Sequence, residues 1–307
     1  MVEAVICIPS FRRPEGLRRT LASLAAQQTD IAFAIVVIDN DAAGRQAEAV
    51  ASAFLAETGI AGRCAVEERQ GNCHAINAAF SGALAWFAEA EFFLMIDDDE
   101  VASPQWLEEI VATARRFDAD IAGGPVAREF DGAVNKAIAG HPLFFSIAAP
   151  TGTIDMIHGT GNCLIRRRVF AAMPQPYFDP GFNFLGGGDM DFFTRCRKHG
   201  FRFAWSDEAK ITEHVVANRV TAGWLMARSI RTGTINYLID RKHAGGIAGR
   251  ARVETKNFGS LVLSFWRALL ALARTRSALN ASHPVLMSFG RFLGAFRMIQ
   301  SPYRFDP

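Results

Sequence analysis

The segment 92-FFLMIDDDEV-101 decides the fold class of this 307-residue chain. An apolar run over residues 92–96 stops at four consecutive acids, Asp97 to Glu100. Adjacent carboxylates repel one another, so the folded chain needs a compensating charge. If strand periodicity continues into the acids, Asp97 and Asp99 point the same way. Such a pair suits a hard divalent cation, and the alternative is a solvated acidic turn before a helix predicted in 102-ASPQWLEEIV-111.

Strand patterns alternate with helical patterns up to this segment. The strand patterns are 4-AVICIPS-10, 34-AIVVIDN-40, 63-RCAVEER-69 and 91-EFFLMID-97. The alternation predicts an α/β fold with a Rossmann-like, mostly parallel sheet and helices on both faces. Ligands of such sheets bind at the carboxyl ends of the strands, which here carry Ser10, Asp39, Arg69 and Asp97.

The last part of the chain has helical, amphipathic patterns and is basic. The whole chain has a net charge of +2, but residues 241–307 contain 11 Lys/Arg and only 2 Asp/Glu. In and just after the apolar run 258–273, the polar residues Ser260, Ser264, Arg267 and Arg274 fall on one stripe of a predicted helix. Residues 287–299 show a similar amphipathic pattern. Such a helix can lie in the plane of a membrane surface, and the alternative is a helix pair packed on the rest of the protein. The run is shorter than the roughly 20 residues that span a bilayer, so no transmembrane helix is expected.

Cysteine usage and the N-terminus predict a cytoplasmic protein. The five cysteines are scattered and form no CxxC pair. This spacing indicates reduced thiols and argues against a disulfide framework or a zinc–cysteine site. The start, 1-MVEAVICIPS-10, lacks a basic stretch followed by a long apolar one, so no signal peptide is expected. Nucleic-acid binding is not expected either, because the basic residues cluster with apolar runs and the rest of the chain is acidic.

Six stretches in this order and spacing resemble the inverting family 2 glycosyltransferases. They are 6-ICIPSFRRPEGLRRTLASL-24, 35-IVVIDNDA-42, 92-FFLMIDDDEVASPQWL-107, 159-GTGNCLIRRRVF-170, 186-GGGDMDFFTRCRKHG-200 and 213-EHVVANRVTAGWLMAR-228. Within that family the chain looks most like bacterial exopolysaccharide glucosyltransferases of the succinoglycan-assembly type. The resemblance implies a GT-A fold and a nucleotide-sugar donor.

The resemblance also implies which residues hold the donor. Pro9, Ser10 and Phe11 match the loop that cradles the nucleotide base, and Asp39 matches the acid that hydrogen-bonds it. Asp97 and Asp99 match the ends of the family's DxD motif. Asp99 is then the ligand of Mn²⁺ or Mg²⁺, and Asp97 or Asp98 contacts the ribose.

Catalytic roles follow from the same resemblance. Asp189 matches the acid of the family's "ED" motif, which is the general base, and His214 matches a histidine that completes the metal shell in some relatives. Asp191 is a candidate acceptor contact, with a solvated helix acid as the alternative. The chemistry is consistent, because sugar transfer needs the diphosphate's charge neutralised and one base for the acceptor hydroxyl.

Two positions depart from the family pattern. Gly188 stands where the family usually has Glu before the base. Ile76 stands where it often has an arginine, and Arg13 or Arg69 could take over that donor contact.

The sequence therefore predicts a catalytic domain over residues 1–240 and a basic helical extension over residues 241–307. This extension is a candidate for association with a membrane. The expected function is metal-dependent, inverting transfer of a sugar, with UDP-glucose as donor, to a lipid-linked saccharide in polysaccharide assembly. The expected location is cytoplasmic, peripherally associated with the inner membrane. Two alternatives stay open: a nucleotidyltransferase acting on sugar phosphates, and a non-catalytic membrane-bound scaffold of the same fold.

Overall fold

The structure, a computed structural model, describes residues 1–296 and Met298. The chain forms two compact units. Unit 1 comprises Met1–Ala127, Ser146–Phe184 and Gly188–Glu213. Unit 2 comprises Arg128–Phe145, Leu185–Gly187 and the chain from His214 onward. The amphipathic pattern predicted over residues 287–299 includes Arg297 and Ile299, which lie outside the described residues.

Unit 1 is built on an eight-stranded sheet. Its strands are β1 (Ala4–Ser10), β2 (Phe33–Asp39), β3 (Gly62–Val66), β4 (Phe92–Met95), β6 (Ile121–Gly123), β8 (Gly152–Ile154), β9 (Cys163–Arg166) and β10 (Phe203–Trp205). Their order in the sheet is β3-β2-β1-β4-β9-β6-β10-β8. Further strands are β5 (Glu100–Ala102), which pairs antiparallel with β11 (Ile211–Val215), and β7 (Val126–Phe130).

The α/β prediction is confirmed, and two strands of the sheet run antiparallel to their neighbours. The pairs β1–β2, β2–β3, β1–β4 and β6–β10 are parallel. The strand β9 is antiparallel to both neighbours, β4 and β6, and β8 is antiparallel to β10. Hydrogen bonding in the sheet thus places Cys163 beside Met95, the last residue of β4.

Helices surround this sheet and bury their apolar faces. They are α1 (Pro14–Ala25), α2 (Gln46–Thr58), α3 (Asn72–Trp86), α4 (Trp106–Arg116), α6 (Arg167–Ala172) and α7 (Gly188–Lys198). In α1 a proline occupies the first helical position, where its missing N–H costs nothing. Leu17, Leu21 and Leu24 recur at helical spacing and are fully buried in the core with β1 and β2.

Unit 2 is mainly helical. Its helices are the short α5 (Lys136–Ala139) and the long α8 (Ala222–Lys242), α9 (Gly246–Thr275) and α10 (Ala278–Ala295). A small apolar cluster of Phe144, Val215 and Leu225 is buried in this unit. Among the described residues, α9 is a helix whose length and composition would suffice to cross a membrane. The helix extends well beyond the apolar run 258–273 on which the sequence expectation rests.

All five cysteines are free thiols, as the sequence predicts. Four of them (Cys7, Cys73, Cys163 and Cys196) are buried and Cys64 is half-buried. Burial raises the pKa of Cys64 and of Cys196 to about 12. Burial also raises the pKa of Cys7 and of Cys163 well above the usual range of a thiol.

Candidate active site

The four acids form a closed turn between two strands. The strand β4 ends at Met95, and β5 begins at Glu100. The Glu100 N–H donates to the Asp97 carbonyl over 3.2 Å, and the Asp97 N–H donates to Glu100 Oε2 over 2.8 Å. Strand alternation therefore does not set the direction of Asp97 and Asp99, because these residues lie in the turn and not in β4.

Asp98 ties this turn to the end of β1. Its Oδ2 accepts from the Ser10 hydroxyl over 2.8 Å and from the Phe11 N–H over 3.2 Å. Its Oδ1 accepts from Arg13 Nη1 over 3.1 Å, and the same nitrogen lies 2.5 Å from Asp99 Oδ2. Arg13 is thus the counter-charge that the acidic run requires. The structure brings Ser10, Phe11, Arg13 and Asp98 together, and Pro9 precedes them as a buried residue of β1.

Helix α1 packs against the same turn at Gly16. A Cβ on Gly16 would lie 2.4 Å from the Asp98 carbonyl oxygen, so a larger residue would push the turn away. The "RRPEG" stretch therefore supplies both the arginine that pairs with Asp98 and Asp99 and the glycine that lets α1 approach the turn.

One arginine does not balance the negative charge of the turn. Burial, and then Asp99, Asp98 and Glu213, raise the pKa of Asp97 to about 8. Burial and Asp97 raise the pKa of Glu100 well above its usual range. Glu213 belongs to this cluster because it lies opposite Glu100 in the β5–β11 pair.

The cluster offers oxygen ligands to a hard divalent cation, which would relieve the repulsion. Over residues 1–296 and 298, no group of three or more His, Cys, Asp or Glu side chains is arranged to hold a metal ion by itself. In proteins, Mg²⁺ usually takes one or two carboxylates together with substrate phosphates.

Asp189 lies in the first turn of α7, and the segment 158–161 connects its surroundings to the acid turn. A Cβ on Gly161 would lie 2.7 Å from Glu100 Oε1 and 3.1 Å from Asp97 Oδ2. A Cβ on Gly159 would lie 3.9 Å from Asp189 Oδ2. One short segment therefore borders both Asp97 and Asp189. Consistently, both acids contribute to the raised pKa of Cys163, after burial as the main cause.

The start of α7 packs on the start of α3. A Cβ on Gly188 would lie 2.6 Å from Cys73 Sγ, well inside van der Waals contact. Asn183 also contacts α3, since its Oδ1 accepts from the His74 N–H over 3.2 Å. Glycine in place of the family's usual Glu at position 188 thus has a local steric reason. The Cys73 thiol occupies the space that a side chain at position 188 would need.

Asp39 and Asn40 organise the end of β2. Asp39 is fully buried, and its two oxygens accept from the N–H groups of Asp41 and Glu48 over 2.9 and 3.0 Å. Asn40 donates to the carbonyls of Glu67 and Arg69 and accepts from the Gly71 N–H over 2.8 Å. Asn40 therefore fixes the loop after β3. The sequence reasoning did not single it out, although it lies within the quoted "DNDA".

The other predicted site residues occupy varied surroundings. Arg69 lies on this loop with an exposed side chain that pairs with Glu67, Nε to Oε1 over 2.9 Å. Asp191 is fully buried, and its Oδ2 accepts from Arg195 Nε over 3.1 Å. His214 belongs to unit 2, where its Nε2 lies 3.0 Å from Asp131 Oδ1. The roles predicted for these three residues stay predictions.

Asn162 is a second residue that the sequence reasoning did not assign. Its Oδ1 accepts from the Trp106 indole N–H over 2.8 Å. Its Nδ2 donates to the carbonyls of Pro125 and Ala209 over 3.1 and 2.8 Å. The side chain therefore links α4 to the residues just before β7 and β11, next to the segment 158–161. The motifs "WL" and "GTGN" carry the two partners, but their spacing alone does not show that they touch.

Comparisons with known proteins agree with this architecture. The sequence model of the family described as "Glycosyl transferase family 2" matches residues 5–173. The chain is 28% identical over 245 residues to the "Succinoglycan biosynthesis protein ExoM" of Rhizobium meliloti (strain 1021), covering 79% of this chain and 76% of that protein. It is 26% identical over 232 residues to the "O-antigen biosynthesis protein RfbC" of Myxococcus xanthus, covering 70% of this chain and 17% of that protein.

Solved structures show the fold. The crystal structure of S. aureus TarS 1–349 in complex with UDP superposes with a TM-score of 0.53 at 14% identity, covering 99% of this chain and 94% of that one. The TarS 1–349 structure in complex with UDP-GlcNAc gives a TM-score of 0.51 at 14% identity, with 97% and 92% coverage. These matches confirm the GT-A-type architecture predicted from the sequence.

Proposed function

Because this chain belongs to glycosyl transferase family 2, we propose that it catalyses inverting transfer of a hexose from a UDP-sugar to a saccharide acceptor. The observation that carries the proposal is the segment 158–161, which borders Asp97 and Glu100 at one end and Asp189 at the other. A donor phosphate at the acid turn and an acceptor hydroxyl at Asp189 would then lie on the two sides of one sugar.

The end of β1 and the acid turn would bind the donor. The Ser10–Asp98–Arg13 contacts hold the loop after β1 against the turn. In the proposal, Pro9, Ser10 and Phe11 would line the nucleotide base. Asp39 at the end of β2 and Arg69 in the loop after β3 are the other residues predicted to contact the donor. Asp97 or Asp98 would contact the ribose.

Asp99 would hold a divalent cation, Mn²⁺ or Mg²⁺, and the ligand role of His214, a residue of unit 2, stays a prediction. When bound, such a cation neutralises the charge of the departing diphosphate. The carboxylates of the acid turn are oxygen ligands of the kind that such a cation takes.

Asp189 would act as the general base. Its Oδ1 accepts from the Met190 N–H over 2.8 Å, which fixes the carboxylate at the start of α7. The proton of the acceptor hydroxyl passes to Asp189, the acceptor oxygen bonds to the anomeric carbon, and the bond to the diphosphate breaks. Direct displacement inverts the anomeric centre and needs one catalytic carboxylate, whereas glycosidases use two.

The acceptor and the location are also part of the proposal. The relatives carry names of succinoglycan and O-antigen biosynthesis. We therefore propose a lipid-linked saccharide acceptor at the cytoplasmic face of the inner membrane, with glucose as the sugar and Asp191 as a candidate acceptor contact. The arginines of the β1 loop are engaged by acids, Arg12 by Asp41 and Arg13 by Asp98 and Asp99. This pairing disfavours the alternative of a nucleotidyltransferase, in which they would bind a triphosphate.

The substitution Asp189→Asn tests the proposal. Turnover of UDP-glucose with Mn²⁺ should fall by about 10²–10⁴-fold, while the thermal shift produced by UDP-glucose and Mn²⁺ stays unchanged. Asp155→Asn is the matched control, because Asp155 is an exposed acid of the same unit that pairs only with Arg197 among the contacts described here. Full turnover by Asp189→Asn would refute the assignment, and a wild-type chain that binds but never turns over UDP-sugars would favour the scaffold.

A further inference from the structure

The long helices α8 and α10 of unit 2 pack closely at glycine residues. A Cβ on Gly233 of α8 would lie 1.9 Å from the Met287 carbonyl oxygen, and one on Gly290 of α10 would lie 1.8 Å from the Ile230 carbonyl oxygen. The Thr234 hydroxyl donates to the Gly290 carbonyl over 2.9 Å. Small residues thus let α8 and α10 approach closely, and a hydroxyl hydrogen bond joins them.

Polar side chains fill the interior of this bundle. Asn257 and Ser264 of α9 are buried, and Ser260 Oγ lies 3.2 Å from Ser288 Oγ of α10. Arg291 of α10 is buried as well, donating from Nε to Asn257 Oδ1 over 3.1 Å and from Nη2 to Asp240 Oδ2 over 2.9 Å. The serines of the sequence-predicted polar stripe therefore face α10 and not the surrounding solvent.

Apolar side chains lie on the outside of α9. Eight large apolar residues within 15 positions are 44–67% exposed: Phe258, Val262, Leu263, Phe265, Trp266, Leu269, Leu270 and Leu272. At 100° per residue they cover about half of the helix circumference, opposite the buried side. Phe289, Phe296 and Met298 are exposed in and just after α10. A continuous exposed apolar face of this extent marks an interaction surface.

The charges beside this face favour an anionic lipid surface as its partner. Arg267 and Arg274 are exposed and lie along one border of the apolar arc. Residues 241–307 carry 11 Lys/Arg against 2 Asp/Glu. Basic residues at the border of an apolar helix face are the pattern of helices that lie at anionic membranes.

We propose that α9 inserts its outer apolar face into the acyl chains of an anionic bilayer, with its axis in the membrane plane and Arg267 and Arg274 at the headgroups. A spanning arrangement is disfavoured by α8, which packs against α10 and carries Arg228, Arg231, Asp240, Arg241 and Lys242. The inference extends the membrane location in the proposed function from attachment at the surface to contact with the hydrocarbon layer.

Flotation of the full chain with lipid vesicles tests the proposal. The wild type should float with vesicles of 30% phosphatidylglycerol in phosphatidylcholine and should still float in 1 M NaCl, since acyl contact is not screened. Trp266→Glu with Leu269→Glu should lower the bound fraction at least tenfold. The matched control is Phe145→Glu, because Phe145 is as exposed as Phe258 and lies in the same unit outside the three helices.

A second measurement reads the depth of the helix. Lipids brominated on the acyl chain should quench the fluorescence of Trp266, and the Trp266→Phe variant should lose that quenching. Arg267→Gln with Arg274→Gln should weaken binding to the anionic vesicles severalfold and leave binding to pure phosphatidylcholine unchanged.

Three outcomes would overturn the proposal. They are undiminished flotation of the double-Glu variant, complete release of the wild type by salt, or conversion of a wild-type dimer to a monomer by the Glu substitutions, which would assign the face to a second copy of this chain. Because the substituted side chains are exposed, the melting temperature should not change. The proposed function fails separately, since Asp189→Asn should float and the double-Glu variant should still bind UDP-glucose.

Discussion

Substituting Gly188 by alanine should impair catalysis through a single steric contact. The added Cβ would lie 2.6 Å from Cys73 Sγ, whereas the next neighbours, Phe178 Cδ1 and Phe182 Cβ, lie at an ordinary 3.8 Å. The overlap requires a movement of about 1 Å, and overpacking of this kind costs about 1–3 kcal/mol. If the first turn of α7 moves, Asp189 moves with it, and a displacement of that size can cost about 10²-fold in rate.

The decisive comparison is with Cys73→Ala. Removing the sulfur leaves the new methyl group only the contacts at 3.8 Å, so the double variant Cys73→Ala/Gly188→Ala should recover turnover. The backbone permits alanine, because Gly188 is not among the residues with positive φ. In UDP-glucose turnover, Gly188→Ala should lower kcat by about 10–100-fold while KM changes less than about threefold. The double variant should return to within about threefold of the wild type.

Gly223→Ala is the control for the glycine substitution itself, since nothing lies within 4 Å of a Cβ at that position. Its kcat should match that of the wild type, and its melting temperature should not fall. The steric explanation is refuted if Gly188→Ala is fully active, or if removal of the thiol leaves its defect unchanged.

Two further predictions concern the stability of each unit. Asn162→Ala removes three hydrogen bonds, two of them buried, and should lower the free energy of unfolding by about 3 kcal/mol; a loss below about 1 kcal/mol in urea denaturation would contradict the proposed link. Burial, and then His141, lower the pKa of His283 to about 4, so the unfolded chain binds more protons between pH 6.5 and 4. Stability should therefore fall as the pH drops through that window, by about 2 kcal/mol after allowance for partial exposure, and His283→Gln should flatten the curve measured by denaturation at each pH.

The periodicity of the sequence predicts much of the fold. The leucines of α1 and the apolar strands β1, β2 and β4 are buried where their spacing places them. The insertion of β9 between β4 and β6 was not predictable in this way, because a buried strand has the same pattern whichever neighbour it pairs with and in whichever direction.

The residues of the candidate site could be predicted from the sequence, but the contacts between them could not. The acids and the β1 loop could be located, since strand ends and charge are visible in the sequence. The pairing of Arg13 with Asp98 and Asp99 depends on a contact across 85 residues of chain and was not visible. The serines at 260 and 264 show a further limit: an amphipathic pattern identifies two helix faces, but the packing decides which one is inside.

The state of the five thiols has a consequence for experiments on this protein. The buried thiols and the raised pKa values leave very little thiolate at neutral pH, so alkylating reagents should react with the native chain slowly. A cysteine introduced on an exposed position, for example at Val262, would then be the main site of labelling without prior removal of the natural ones. Spin labels or fluorophores could in this way report the surroundings of a chosen helix face in an otherwise unaltered chain.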